Sequence, residues 1–210
     1  MLKVHEIFST IQGEGYDTGL PCTFVRLWGC NLKCSFCDQP QAKCDIHRMS
    51  VESVVNEVRK LRIKNVCITG GEPLIQEEVF SLIYELNNLD YHVSIETNGS
   101  IELEDTVRRS HKYVMDIKCP SSGVSEYNNF DNLGILHPSD EVKFVIADRQ
   151  DYDFMKRVLR EHPTKAKVLL SPMFDPHNKQ HVGMLLSSWV LKDKLDVRIQ
   201  IQLHKILGVQ

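Results

Sequence analysis

The chain has no long uninterrupted apolar run, so nothing in it is read as a membrane span. Its first residues, Met1-Leu2-Lys3-Val4-His5-Glu6, lack the apolar stretch of a secretory signal. It also lacks a surplus of positive charge: 25 Lys and Arg stand against 28 Asp and Glu, for a net charge of −3. That balance supplies no basic face for a phosphate backbone, so nucleic acid is not an expected partner. No internal repeat, low-complexity tract or Pro/Ser-rich linker interrupts the sequence, and residues 1–210 are expected to form one domain. What remains is an ordinary globular composition, 42% hydrophobic and 25% charged, with enough apolar material for one sizeable core. The cysteines number seven, which fits a reducing cytoplasm better than an oxidising compartment.

Three of them, Cys30, Cys34 and Cys37, fall in one short run with the spacing C-x3-C-x2-C. A Gly/Asn/Lys-containing loop is a poor setting for three core thiols. Three thiolates so spaced can hold three corners of a [4Fe–4S] cube and leave the fourth iron open to a small molecule. Such an iron can be chelated by the amino and carboxylate groups of S-adenosylmethionine (SAM), whose reductive cleavage gives a 5′-deoxyadenosyl radical. A zinc site would need a further Cys/His pair, to which Cys44 or His47 can contribute, and Cys44 can alternatively cap the cluster.

Short β-type runs alternate with helical patterns, the mark of a parallel sheet with crossover helices. Strands are expected at Thr23–Trp28, Asn65–Thr69, His92–Glu96, Tyr113–Lys118, Glu141–Ala147, Lys167–Ser171 and Asp196–His204. Helices are expected from an N-cap at Ser50 through Leu61, around Val79–Leu86, and over Tyr152–Glu161 and Gln180–Leu191, with Pro120–Asp140 loop-like. A closed eight-unit barrel takes about 250 residues. The chain therefore predicts an α/β fold with an incomplete, open (β/α)6-like barrel and abbreviated helices.

Polar residues gather at the C-terminal ends of these strands, where parallel α/β folds build their sites. Gly70-Gly71-Glu72-Pro73 offers close backbone approach, with Glu72 as an anionic partner for a ligand amino group. Arg26, inside an apolar strand, needs an anion, either a substrate carboxylate or an internal partner such as Glu14, Glu72 or Glu96. Gln12-Gly13-Glu14-Gly15 can read a polar heterocycle or form a plain turn. Glu96-Thr97-Asn98-Gly99 and Asp116-Ile117-Lys118 are further polar strand ends. In the last expected strand Arg198, Gln200, Gln202 and His204 share one face, exposed to solvent or lining the cavity. Cys22, Cys44, Cys67 and Cys119 are expected to be free thiols.

With these segments assembled, the sequence resembles the radical SAM superfamily. Phe8–Gly15, Phe24-Val25-Arg26-Leu27, Asp116–Ser121 and Gln202-Leu203-His204-Lys205 are similar to a family within it, the 7-carboxy-7-deazaguanine synthases. The resemblance implies a cytoplasmic homodimer that takes no membrane or nucleic acid, binds a [4Fe–4S] cluster, SAM and Mg²⁺, and draws electrons from a donor such as a flavodoxin or ferredoxin. The substrate would be 6-carboxy-5,6,7,8-tetrahydropterin, losing a hydrogen at C6 before ring contraction and loss of ammonia. No side chain is implied as catalytic, since the radical comes from cluster-bound SAM. Gln12, Gly13, Glu14, Arg26, Thr69, His204 and the terminal Gln210 would contact substrate. Phe36, Cys37, Asp38, Gly71, Lys118, Cys119, Pro120, Ser121, Ser171 and Pro172 would border SAM.

Two positions depart from the family pattern. Gln39 stands where a Thr or Ser usually helps to hold Mg²⁺, so it either ligates the metal through its amide oxygen or bonds substrate directly. Gly208-Val209-Gln210 differs from the aromatic-rich ends of the family. A glycyl-radical activating enzyme shares the cysteine spacing and a short chain, but would need a protein partner. A non-catalytic iron–sulfur or zinc protein would leave the Gly-Gly-Glu-Pro turn unexplained.

Overall fold

The computed structural model describes residues 1–37, 39, 46–103, 111–173 and 181–209. Its strands are β1 (Leu2–Ile11), β2 (Pro21–Leu27), β3 (His47–Met49), β4 (Asn65–Gly70), β5 (His92–Thr97), β6 (His111–Ile117), β7 (Glu141–Ile146), β8 (Lys167–Pro172) and β9 (Arg198–Ile199). The helices are α1 (Val51–Leu61), α2 (Glu78–Asn88), α3 (Asn132–Ile135), α4 (Arg149–Glu161), α5 (His181–Asp193) and α6 (Leu203–Leu207). The strands make one open sheet in the order β3-β1-β2-β4-β5-β6-β7-β8-β9. From β2 to β9 neighbours run parallel, and β1 pairs antiparallel with β2 and β3. The six parallel strands expected to carry the barrel are present as β2 and β4 to β8, with bounds within two residues of those read from the sequence.

Alternation along each strand separates two unlike faces. One carries Val25, Leu27, Val66, Ile68, Ile95, Met115, Ile117, Val142 and Phe144, all buried in one core with Val54, Val58, Val79, Leu82, Met155 and Leu186 of the helices. The opposite face carries Phe24 and Cys67 in a small cluster with Cys22, and beyond it Arg26, Thr69, Glu96, Asp116 and Lys143. In α1, Val54, Val55 and Val58 turn to the sheet, and Ser50 caps the helix by accepting from the Ser53 amide.

Three strands differ from expectation, the short edge strand β3 among them. β1 was not read as a strand because a register shift between Val4 and Glu6 breaks its period-two pattern. The last expected strand pairs with β8 only at Arg198–Ile199. Gln200 and Gln202 then turn to bond the residue 12–16 segment, and Leu203–Leu207 winds into α6, closed by Gly208 at a positive φ of 68°. The Pro120–Asp140 stretch, expected as loop, contains α3 and short 3₁₀ turns.

The segment between β1 and β2 crosses the open side of the sheet. The Gly13 carbonyl accepts from Leu203 N at 3.0 Å, Gly15 N donates to Gln200 Oε1 at 2.7 Å, and Tyr16 N donates to both oxygens of the fully buried Glu141 at 3.2 Å. Lys167 Nζ and the Arg198 guanidinium carbon each lie over the Tyr16 ring, 4.2 and 3.6 Å from its centroid. Behind β5, the fully buried Asn132 holds the following turn by accepting from Leu103 N and donating to the Gly99 and Ile101 carbonyls.

Asn132→Ala leaves those backbone groups without their partner and is expected to cost roughly 3 kcal/mol in denaturant unfolding. Ser50→Ala, at a more exposed helix start, is expected to cost about 1 kcal/mol.

Candidate active site

The cysteine loop leaves the end of β2 and is fixed from two sides. Asn98, just past β5, donates to Asn31 Oδ1 at 3.0 Å and lies 3.7 Å from Cys30 Sγ. On the other side Ser35 N donates to the Ser122 carbonyl at 2.9 Å, and Ser35 Oγ to the Ser121 carbonyl at 2.8 Å. Gly71 packs so closely beneath the loop that a Cβ there would meet the Gly29 carbonyl oxygen at 2.0 Å. The adjacent Glu72 amide donates to the same carbonyl.

Glu72 is fully buried, and its carboxylate accepts from Leu74 N, Thr97 Oγ1 and Asn98 N. Burial raises its pKa, and the Asn98, Leu74 and Thr97 hydrogen bonds oppose the rise. Glu72 is therefore a tie between the turns after β4 and β5. This corrects its reading as an anionic partner for a ligand, since all of its surface is spent on the protein.

Cys30 and Cys34 are half-buried, Cys37 is exposed, and all three are free thiols. Burial raises the Cys34 thiol, and the charge of nearby Lys118 works against that rise. Among the described residues no His, Cys, Asp or Glu trio stands preassembled as a metal site. The fit rests on the donor set: three accessible thiols on one braced loop, suited to a cluster that takes thiolate ligands. His47, weighed as part of a zinc set, is taken into edge strand β3 opposite Val4. Asp38, Cys44 and Gln210 lie outside the described residues.

The other residues expected to border SAM fall into three groups. Phe36 is half-buried at the end of the cysteine loop, as is Gln39, the position expected to meet Mg²⁺ or substrate. Ser171 and Pro172 end β8, Ser171 buried and Pro172 half-buried. Lys118, Cys119, Pro120 and Ser121 form the turn after β6. Lys118 is anchored by two backbone bonds with the Asn128 side chain, and its Nζ stands 2.9 Å from Asp116 Oδ2. Cys119 points into the main core, where burial raises its thiol pKa, so that its side chain faces away from the cysteine loop's solvent side. Ser121 is held by Asp151, its amide donating to Oδ1 at 3.0 Å.

The residues expected to meet substrate lie on the polar face of the sheet. Glu96 accepts from Gln12 Nε2 at 3.4 Å and from Thr69 Oγ1 at 3.0 Å, joining two of them. His204 stands against Gly13, where an added Cβ would meet its Nδ1 at 2.0 Å. Its place on a strand is corrected to α6. Arg26 donates through Nε to Glu6 Oε1 at 2.8 Å and lies over the Phe8 ring. Its internal partner is thus Glu6, on β1, rather than Glu14, Glu72 or Glu96. Among the described residues its Nη fork makes no hydrogen bond to protein.

Glu14 accepts from Lys143 Nζ at 2.8 Å and Gln202 Nε2 at 2.7 Å. Burial alone would raise this carboxyl, but the Lys143 charge and these hydrogen bonds bring it down to about 2. Burial likewise acts to lower Lys143, and Glu14, Asp116 and Glu96 reverse it and hold the ammonium well above its ordinary range. The expected site residues omit Lys143 and Glu6, whereas Asn98 belongs to the polar strand end Glu96-Thr97-Asn98-Gly99. Lys143 and Glu141 did carry a signal, as charged residues at alternate positions of an apolar strand.

Below this face, towards the N-terminal ends of β4 to β6, opens a cleft of about 840 Å³. Gln12, Cys22, Ser94 and Lys112 form its inner wall and His92, His111 and His137 lie nearer the strand starts.

Residues 28–186 match the family model described as the Radical SAM superfamily. The chain is 40% identical to the 7-carboxy-7-deazaguanine synthase of Methanospirillum hungatei, over 99% of its own length and 86% of the relative's. It is 39% identical to that of Koribacter versatilis, over 98% and 96% of the two chains. QueE from Escherichia coli superposes with a TM-score of 0.77, covering 97% of this chain and 94% of that one, at 22% identity. That likeness speaks for the fold.

Because Glu14 titrates near 2 when folded and near 4.5 otherwise, its contribution to stability is present above about pH 4.5 and is lost as the pH falls towards 2. Denaturant unfolding of Glu14→Gln and the parent chain is expected to differ at neutral pH, with the gap closing through that acid window. Gly71→Ala is expected to displace the cysteine loop, lowering the iron retained after cluster assembly at least severalfold.

Proposed function

The chain belongs to the radical SAM superfamily and, within it, to the 7-carboxy-7-deazaguanine synthases, and we propose that its residues divide between two adjoining ligands. The reaction is conversion of 6-carboxy-5,6,7,8-tetrahydropterin to 7-carboxy-7-deazaguanine with loss of ammonia, a step in queuosine and 7-deazapurine biosynthesis. The [4Fe–4S] cluster and SAM, when bound, supply the one-electron chemistry that begins it. Cys30, Cys34 and Cys37 hold the cluster. Gly71, which lets the loop lie close, borders SAM together with Lys118 and the Pro120-Ser121 turn.

The observation that carries the substrate assignment is Arg26. Its Nε is fixed by Glu6, and its Nη fork is left for the paired oxygens of a carboxylate. Gln12 and Thr69, aligned by Glu96, supply hydrogen-bonding groups for the pterin ring. Glu14, kept ionised by Lys143, accepts from ring N–H or amino groups. Because Arg26 and Cys30 lie four positions apart at one strand end, the carboxylated carbon can sit beside SAM.

Exposed apolar residues on α5 and α6, among them Met184, Leu191, Ile206 and Leu207, support a homodimer. A small redox protein such as a flavodoxin or ferredoxin is the electron donor, reaching the exposed Cys37 side of the loop. Among the described residues no helix is long and apolar enough to cross a membrane, in keeping with a cytoplasmic enzyme. Gln39 offers Mg²⁺ a neutral amide oxygen. The alternative with the same cysteine spacing is a glycyl-radical activase, which would need a protein partner instead of a pterin.

An anaerobic assay with reconstituted protein, SAM, reductant and the carboxytetrahydropterin is expected to yield 7-carboxy-7-deazaguanine by mass spectrometry. SAM cleavage without pterin conversion would sink the substrate assignment. Arg26→Lys is expected to raise the pterin KM at least tenfold with little change in the SAM KM, since a point charge replaces a bidentate fork.

A further inference from the structure

Four charged side chains alternate in sign across the polar face of the sheet. Glu14 Oε2 lies 2.8 Å from Lys143 Nζ, which lies 3.7 Å from Asp116 Oδ2, which in turn lies 2.9 Å from Lys118 Nζ. All four side chains are about one-sixth exposed, and the ladder sums to zero charge. Register sets its middle rung, because Asp116 of β6 pairs directly with Lys143 of β7. Its ends belong to different ligands: Glu14 stands with Gln12 and Gly13, and Lys118 opens the turn assigned to SAM.

Lys143 is the member both halves share. The Glu14 carboxylate has further partners in Gln200 and Gln202, so its place is fixed from the C-terminal segment as well. Asp116 has less: its Oδ1 is buried and makes no hydrogen bond to protein. An ammonium held between two carboxylates favours one as it leaves the other, so a change at either end is felt at the opposite one.

We propose that Lys143 is a positioning residue that couples the pterin side of the active site to the SAM side, setting Glu14 directly and Lys118 through Asp116. The inference rests on the assignment of Glu14 to the pterin and of Lys118 to SAM given above. A purely structural ion pair would instead make Lys143 matter for folding alone.

The test is a set of double-mutant cycles on the reconstituted holoenzyme, reading the KM for carboxytetrahydropterin and the KM for SAM separately. K143M is expected to raise both by about tenfold, and K143R to recover most of each. In an E14Q background K143M should change the pterin KM by less than roughly twofold while still raising the SAM KM. In a D116N background the pattern should reverse. Effects of K143M and E14Q that simply multiply would overturn the coupling, as would a fall in kcat and thermal stability with both KM values unchanged. If K143M does not fold, K143Q with K143Q/E14Q and K143Q/D116N carries the same cycles, since the amide removes the charge.

An E14Q variant with an unaltered pterin KM would defeat the assignment of Glu14 itself. A raised KM in E14Q but not in K143M, or in K143Q where K143M does not fold, would defeat the role of Lys143 alone. A parent enzyme that converts no pterin overturns both.

Discussion

An open parallel sheet has two faces and, among the described residues, the core-forming helices α1, α2, α4 and α5 pack on one of them. The uncovered face must be made stable without the hydrophobic layer that buries Val25, Ile68 and Phe144 on the other side. The solution is paired charge. Lys112 neutralises Glu141, Lys143 neutralises Glu14, and Arg26 is met by Glu6. Removing one partner of such a sheltered pair costs about 3–5 kcal/mol, whereas an exposed pair such as Arg149–Asp153 is worth at most about 1 kcal/mol. The stability of this face therefore rests on residues that the proposed function also assigns to a charged heterocycle.

The two ligand regions are built differently. Around the cysteines the protein offers mostly backbone and thiol, and braces them from below: Glu72 locks the turns after β4 and β5, and Gly71 lets the loop lie close. Around the region proposed for the pterin it offers side chains whose geometry is set by further side chains, Glu96 for Gln12 and Thr69, Lys143 for Glu14. The first arrangement suits a bulky inorganic group that brings its own geometry. The second suits a flat ligand recognised by direction of hydrogen bonds.

The strands β2 and β4 to β8 were legible because parallel strands covered by helices read as compact apolar runs, and the helices because their apolar residues recur at helical spacing. The cysteine loop and the polar strand ends were legible for the same reason, as interruptions of those runs. What escaped was whatever depends on register. Glu6 could not be matched to Arg26 without knowing that β1 pairs antiparallel with β2 through a bulge. Lys143 could not be joined to Glu14 without the fold that brings positions 129 residues apart together. The final segment was misread because its alternation was real, but Gln200 and Gln202 spend their amides on the β1–β2 connection instead of continuing a ladder. The Leu203–Gly208 run carried a helix-ending glycine that alternation overshadowed.

The bonds from Gly15 to Gln200 and from Glu14 to Gln202 span 185 and 188 residues of sequence. Contacts so distant along the chain pay most of their loop-closure entropy before any reward arrives, and they form late. During synthesis, the sheet from β2 to β7 can assemble while the substrate segment still lacks the residues that pin it. The region proposed for the pterin is thus pinned in part by residues that follow β9, and a product stalled before Gln200 would hold a nearly complete sheet with that segment untied from them.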